Sequence, residues 1–109
     1  MSLDVDVIAK DMIAAAKGVV DQKWPATREY FESESKMYSQ RLASVAKMYA
    51  DGIISEKRAK EHIALQNEAW ETTLLAVNGL SQILIEQALN AAIKVIRDAV
   101  NKAIGFALL

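Results

Sequence analysis

Residues that end helices are scarce in this chain. Pro25 is its one proline, and glycine occurs four times in 109 residues. A chain with so few turn-forming residues must build long regular elements, whereas all-β folds require many turns. Its length fits one domain with a modest core. We therefore expect a single all-α domain over residues 1–109.

Apolar residues at helical spacing predict three helices, at approximately 4–23, 26–50 and 56–105. The first is amphipathic, with an apolar stripe at steps of three and four residues: Val5, Ile8, Met12, Ala15 and Val19. Pro25 separates it from the second, because proline interrupts a helix but fits at the start of a new one. The apolar stripe of the second helix is also rotated relative to the first, which predicts a break or sharp kink at Pro25.

The turn between the second and third helices is the clearest in the sequence. Gly52 can adopt the left-handed conformation that ends a helix, and Ser55 can cap the next one. Further on, Asn78-Gly79 favours another turn. Apolar residues at seven-residue steps nevertheless keep one phase through Gly79: Ile63, Trp70, Val77, Leu84 and Ala91. The pattern favours one continuous or gently bent helix and leaves a break at Gly79 as the alternative.

Two architectures fit this arrangement of helices. In a long antiparallel hairpin, the turn at Gly52 joins two arms of nearly equal length. In a compact bundle of three to four amphipathic helices, the chain is broken at both Pro25 and Gly79. In either case we expect oligomerisation to complete the burial of the apolar faces.

The last predicted helix carries more apolar surface than one neighbouring helix can cover. Between residues 84 and 104, apolar positions span about 220° of an ideal wheel, whereas a surface helix needs little more than about 100°. Six large side chains form one face, which we predict to be an oligomer interface: Ile85, Leu89, Ile93, Ile96, Val100 and Ile104. Leaving them in water would forgo on the order of 10 kcal/mol, comparable with the stability of a whole domain.

A second copy of the chain is the simplest cover for that face, so a homodimer is the favoured assembly. A helical partner protein, a central position within a four-helix bundle and a membrane surface are the alternatives. The apolar end of the chain, residues 103–109, also suggests docking, either in the bundle or on a membrane.

No catalytic, cofactor-binding or metal-binding residues stand out, and we expect no enzyme activity. The one histidine, His62, has Ala59 three residues before it, so the Glu-x-x-His motif of di-iron bundles is missing. The glycines lie too far apart for a phosphate loop, and there is no cysteine. Glu34 and Arg41 lie on the inner side of the second helix, where an ion pair is the simplest interpretation.

The charge distribution indicates no nucleic-acid partner. Thirteen basic and fourteen acidic residues give a net charge of −1. The densest basic group lies within residues 57–60, and Glu56 and Glu61 bracket it. Such mixed charge is typical of a solvated helix surface, whereas nucleic-acid binding usually requires a basic face.

The N-terminal residues 1–6 lack the basic-then-apolar order of a signal peptide. The longest uncharged run, residues 72–85, is too short to span a bilayer as a helix. These features favour a cytoplasmic location.

The resulting hypothesis is a non-enzymatic, self-associating helical module that acts as a scaffold, adaptor or assembly subunit. One alternative is a membrane-interacting protein that uses residues 80–109. Another is a small-ligand binder or enzyme with its site in the bundle core.

Overall fold

A computed structural model describes residues 3–77 and 80–109. Helices make up 85% of the structure, and no strand occurs in these two ranges. The elements in chain order are α1 (Val5–Val20), a short 3₁₀ turn (Asp21–Lys23), α2 (Trp24–Ala50), α3 (Glu56–Leu75) and α4 (Gln82–Ile104). The predicted all-α class is confirmed.

Side-chain caps fix where three of the helices begin. The carboxylate of Asp4 accepts hydrogen bonds from two amides of the first turn of α1, at 3.1 and 3.2 Å. The hydroxyl of Ser55 accepts from an amide of α3 at 3.2 Å, and that of Ser81 from an amide of α4 at 3.1 Å. Each cap satisfies a backbone donor that has no partner within its helix. The predicted cap at Ser55 is confirmed.

The end of α2 is a left-handed turn at Gly52, whose φ is +74°. The amide of Gly52 donates to the carbonyl of Tyr49 at 3.1 Å, and that of Ile53 to the carbonyl of Met48 at 2.9 Å. This pair of bonds is the Schellman motif, which satisfies the last carbonyls of a helix. The predicted turn at Gly52 is therefore confirmed, and these two hydrogen bonds stabilise it.

The predicted break near Pro25 is present, but the chain turns slightly earlier, at Asp21–Lys23. Asp21 has a φ of +46°, which is incompatible with a continuing right-handed helix. Pro25 then lies in the first turn of α2, where its missing amide costs no helical bond. The thioether sulfur of Met12 lies 3.8 Å from the hydroxyl of Ser39, so α1 folds back onto α2.

The favoured prediction of one continuous helix over residues 56–105 is wrong. The third helix stops at Leu75, and α4 starts only at Gln82. The proposed break point, Gly79, lies outside the described residues. The seven-residue phase survives the interruption because both helices contribute to one core, where Trp70 and Val77 are buried and Leu84 is half-buried.

The four helices pack in a cycle, in which α1 contacts α2 and α4, and α3 contacts the same two helices. This is the neighbour pattern of a four-helix bundle. The extended hairpin would need about 75 Å for residues 56–105 alone, whereas the longest dimension of the molecule is 43 Å. The dimensions of the molecule therefore disagree with the extended hairpin and agree with bundle packing.

The helices of the bundle are unequally spaced. The closest approach is between α1 and α4, and both bury alanines in the core: Ala9, Ala16, Ala88 and Ala92. Helix spacing depends on the side chains at the contact, and small ones allow close approach. Helix α3 instead buries Ile63, Trp70 and Leu74, and it approaches α4 least closely of the neighbouring pairs.

The apolar C-terminal segment docks on the bundle. The ring of Phe106 packs edge-on against Tyr49, with centroids 4.8 Å apart, and Leu108 is buried. The amide side chain of Asn101 accepts from the backbone of Leu109 at 2.9 Å and donates to its carbonyl at 3.3 Å. Of the two predicted docking modes, the structure shows the one within the bundle.

Candidate functional site

A groove runs along the surface where α3 and α4 are most widely spaced. It consists of two adjoining depressions of about 240 and 310 Å³ that share three residues at the centre, Asn67, Asn90 and Ile93. The wide spacing follows from the large side chains that α3 places in the core. We call this feature the α3/α4 groove.

The floor of the α3/α4 groove is apolar. It is formed by Ile63, Leu89 and Leu108, which are buried, and by the half-buried Ile93. In its wall, the side-chain oxygen of Asn67 is shielded from solvent and accepts no hydrogen bond within the described part of the chain. A buried acceptor without a donor is unfavourable by about 1–3 kcal/mol. The groove therefore combines an apolar floor with a polar atom that is shielded by its own chain and has no partner among the described residues.

The two ends of the α3/α4 groove carry opposite charges. Glu71 and Glu86 line one end, and Lys60 and Arg97 line the other. Three ion pairs form within residues 3–77 and 80–109, and none involves these four side chains: Arg28–Glu32, Lys47–Asp51 and Arg58–Glu61. The two pairs of side chains thus differ in sign, and neither pair is neutralised by an ion pair within the described residues, although Glu56 and Glu61 also lie near Lys60.

The oligomer interface predicted on α4 lies mostly inside the single chain. Five of its six residues are buried by the other helices: Ile85, Leu89, Ile96, Val100 and Ile104. The premise that this face needs a second copy is therefore wrong. Helix α4 has a neighbour on each side, α1 and α3, and together they cover most of its apolar arc.

Ile93 is the one member of the predicted interface that stays half-exposed, at the centre of the α3/α4 groove. The exposed apolar side chains of α4 are Ile83 and Val95, which are 69% and 52% exposed, and Ala99. An alanine methyl group exposes little apolar area, so leaving it in water costs little. Because five of the six residues of the predicted face are buried, the uncovered apolar surface of α4 is smaller than the sequence suggests.

The side chains that were considered for chemistry lie apart from one another. In the described ranges, no three His, Asp or Glu side chains are close enough together to hold a metal ion. Nor does Glu34 form the expected ion pair with Arg41 there. Burial instead raises the pKa of the Glu34 carboxyl, as desolvation disfavours its charged form.

The bundle core contains polar groups of its own, between α2 and α3. The rings of Tyr38 and Trp70 are 5.4 Å apart, and the hydroxyl of Tyr38, the indole nitrogen of Trp70 and the hydroxyl of Ser35 are buried without partners among the described residues. Burial raises the pKa of Tyr38, so its hydroxyl stays protonated at physiological pH. It cannot serve there as a base.

Sequence reasoning missed the α3/α4 groove because the groove exists only once α3 and α4 are known to be separate antiparallel helices. A signal was nevertheless present. In such a hairpin, Glu71 comes opposite Glu86, and Lys60 comes opposite Arg97, which places like charges together at each end. No known protein family, curated protein or solved structure matches the chain.

Proposed function

We propose that this protein is a non-enzymatic, self-associating helical module that acts as a scaffold, adaptor or assembly subunit. The observation that carries the proposal is the α3/α4 groove, with its apolar floor and its oppositely charged ends. Apolar surface rimmed by polar groups is typical of protein interaction sites.

The size and the elongated shape of the groove favour a protein partner over a small ligand. Small-molecule pockets usually enclose about 300–1,000 Å³ and bury most of the ligand. The two depressions, of about 240 and 310 Å³, lie near or below the lower end of this range and follow one another along the two helices. Such a shape suits the side chains of another helix.

The orientation of α4 also weighs against the alternative of membrane docking through residues 80–109. Most of its large apolar side chains are buried in the bundle, where a membrane could not contact them without unfolding the protein, and Ile83 and Val95 are the large apolar side chains of α4 that stay exposed. Across the described ranges, no helix combines the length and the hydropathy that crossing a bilayer requires.

Light scattering after size exclusion, repeated over a range of concentrations, tests the proposal. We expect a mass above that of a single chain at tens of micromolar, a concentration at which micromolar association is detected. A strict monomer throughout this range would contradict self-association. Flotation with liposomes serves as the companion measurement, in which we expect the protein to remain in the unbound fraction.

A further inference from the structure

We infer that the occupant of the α3/α4 groove is a second copy of the chain, related by a two-fold axis that crosses the groove near Asn67 and Asn90. In this arrangement, the acidic end of each copy lies on the basic end of the other. The inference rests on the proposed self-association and adds its surface and its geometry.

The charges of the groove select this orientation. A two-fold axis perpendicular to the groove exchanges its ends, so Glu71 and Glu86 of one copy approach Lys60 and Arg97 of the other. The same contact then occurs twice, as in every isologous interface. Without the reversal, like charges would face each other at both ends, which is unfavourable.

The basic end is available for such a contact. Glu61 is the acidic residue that follows Lys60, and it is engaged by Arg58 at 3.3 Å. The ammonium group of Lys60 lies 5.9 Å from the centre of the Phe106 ring, a weak attraction at an exposed site. Both Lys60 and Arg97 are exposed at this end.

The centre of the groove also suits a two-fold axis. Residues near such an axis meet their own counterparts, so they must be self-complementary. A carboxamide carries both donors and acceptors, and the carboxamide of Asn90 is exposed at this centre. Ile93 adds apolar contact. The long side of the molecule, 43 by 22 Å, is large enough for the roughly 800 Å² per partner of a typical interface.

Charge reversal tests the geometry with substitutions at the groove rim. The variant Glu71→Lys/Glu86→Lys has two basic ends, and Lys60→Glu/Arg97→Glu has two acidic ends. We expect the self-association of each to weaken by about tenfold or more, since every contact becomes repulsive. A mixture of the two variants, and one chain that carries all four changes, should associate as tightly as the wild type.

Sedimentation velocity of each variant, of the mixture and of the fourfold variant distinguishes the outcomes. Weakening of both double variants with recovery in the mixture supports the inference. If all samples associate like the wild type, another surface is used, so the inference fails while the proposed function stands. If the wild type is monomeric, both fail, and the groove is then open to a helix of a different protein.

Two single-residue variants on α4 test the centre of the groove independently of the charged ends. We expect Ile93→Glu to abolish association at tens of micromolar, because it places an unpaired charge at the two-fold axis. The control Val95→Glu lies two residues further along the same helix, away from the groove, and should associate normally. Circular dichroism checks that both variants stay helical. Equal association of the two variants would overturn the inference.

Discussion

Tyr38 shows how a single polar atom can sit in a core at a cost. Its hydroxyl is buried and has no partner among the described residues, while its ring packs against Trp70. We expect Tyr38→Phe to leave the free energy of unfolding unchanged or to raise it by about 1 kcal/mol, because it removes an unsatisfied group and keeps the ring. Urea denaturation measures this change.

The control for that measurement is Leu42→Ala in the same helix. Leu42 is fully buried, and its truncation should lower the free energy of unfolding by about 2–5 kcal/mol. If Tyr38→Phe lowered it by more than about 1 kcal/mol, the hydroxyl would have to hold a hydrogen bond in solution.

Glu34 gives the fold a dependence on pH. Burial raises the pKa of its carboxyl above the usual 4.5, so its ionised form is less favourable in the folded than in the unfolded chain. Its contribution to stability is therefore fully present below pH 4.5 and is lost as the pH rises through the folded-state pKa. We expect Glu34→Gln to raise the melting temperature at neutral pH and to have no effect near about pH 3.5.

Thermal unfolding at the two pH values checks this prediction. The matched control is Glu29→Gln, an exposed position on the same helix, which accounts for the loss of one negative charge. A gain in melting temperature that was the same at both pH values would contradict the burial argument.

At the scale of the elements, two glycines have opposite roles. Gly18 lies inside α1 in an ordinary helical conformation, and a methyl group added there would meet nothing within 4 Å. Gly52 has a φ of +74° at the end of α2. We expect Gly18→Ala to raise the free energy of unfolding by about 0.5–1 kcal/mol and Gly52→Ala to lower it by about 1–2 kcal/mol. Chemical denaturation of the two variants under the same conditions measures both changes. A change of the free energy of unfolding in the same direction for both variants would contradict this prediction.

The boundaries of the helices were predictable where local chemistry sets them. Pro25 restricts the backbone sterically, and the turn at Gly52 is held by hydrogen bonds between nearby residues. Both features can be recognised from the residue types in the sequence. The end of α3 at Leu75 was not predicted, because the seven-residue phase of the core positions continues across the interruption. Periodicity reports which side of a helix faces the core, and it does not report whether the backbone is continuous.

At the scale of the whole molecule, the groove depends on information that no helix carries alone. A helical wheel shows how much of the circumference of α4 is apolar. The number of helices that pack against α4 is known only from the structure. Because α1 and α3 both contact α4, Ile85 and Val100 are core residues rather than interface residues, while Ile93 reaches the groove. The charged ends likewise become a surface only when α3 and α4 lie side by side.

This packing leads to a prediction about folding and assembly. Since one chain buries its own core, including Met12, Phe31 and Trp70, the monomer should be a folded state and association a separate equilibrium. On dilution from tens of micromolar to nanomolar concentration, we expect the sedimentation coefficient to fall to that of a monomer while the helical circular dichroism signal stays constant. Loss of helix in parallel with dissociation would instead mean that the fold requires the second copy, as the apolar arc of α4 alone suggests.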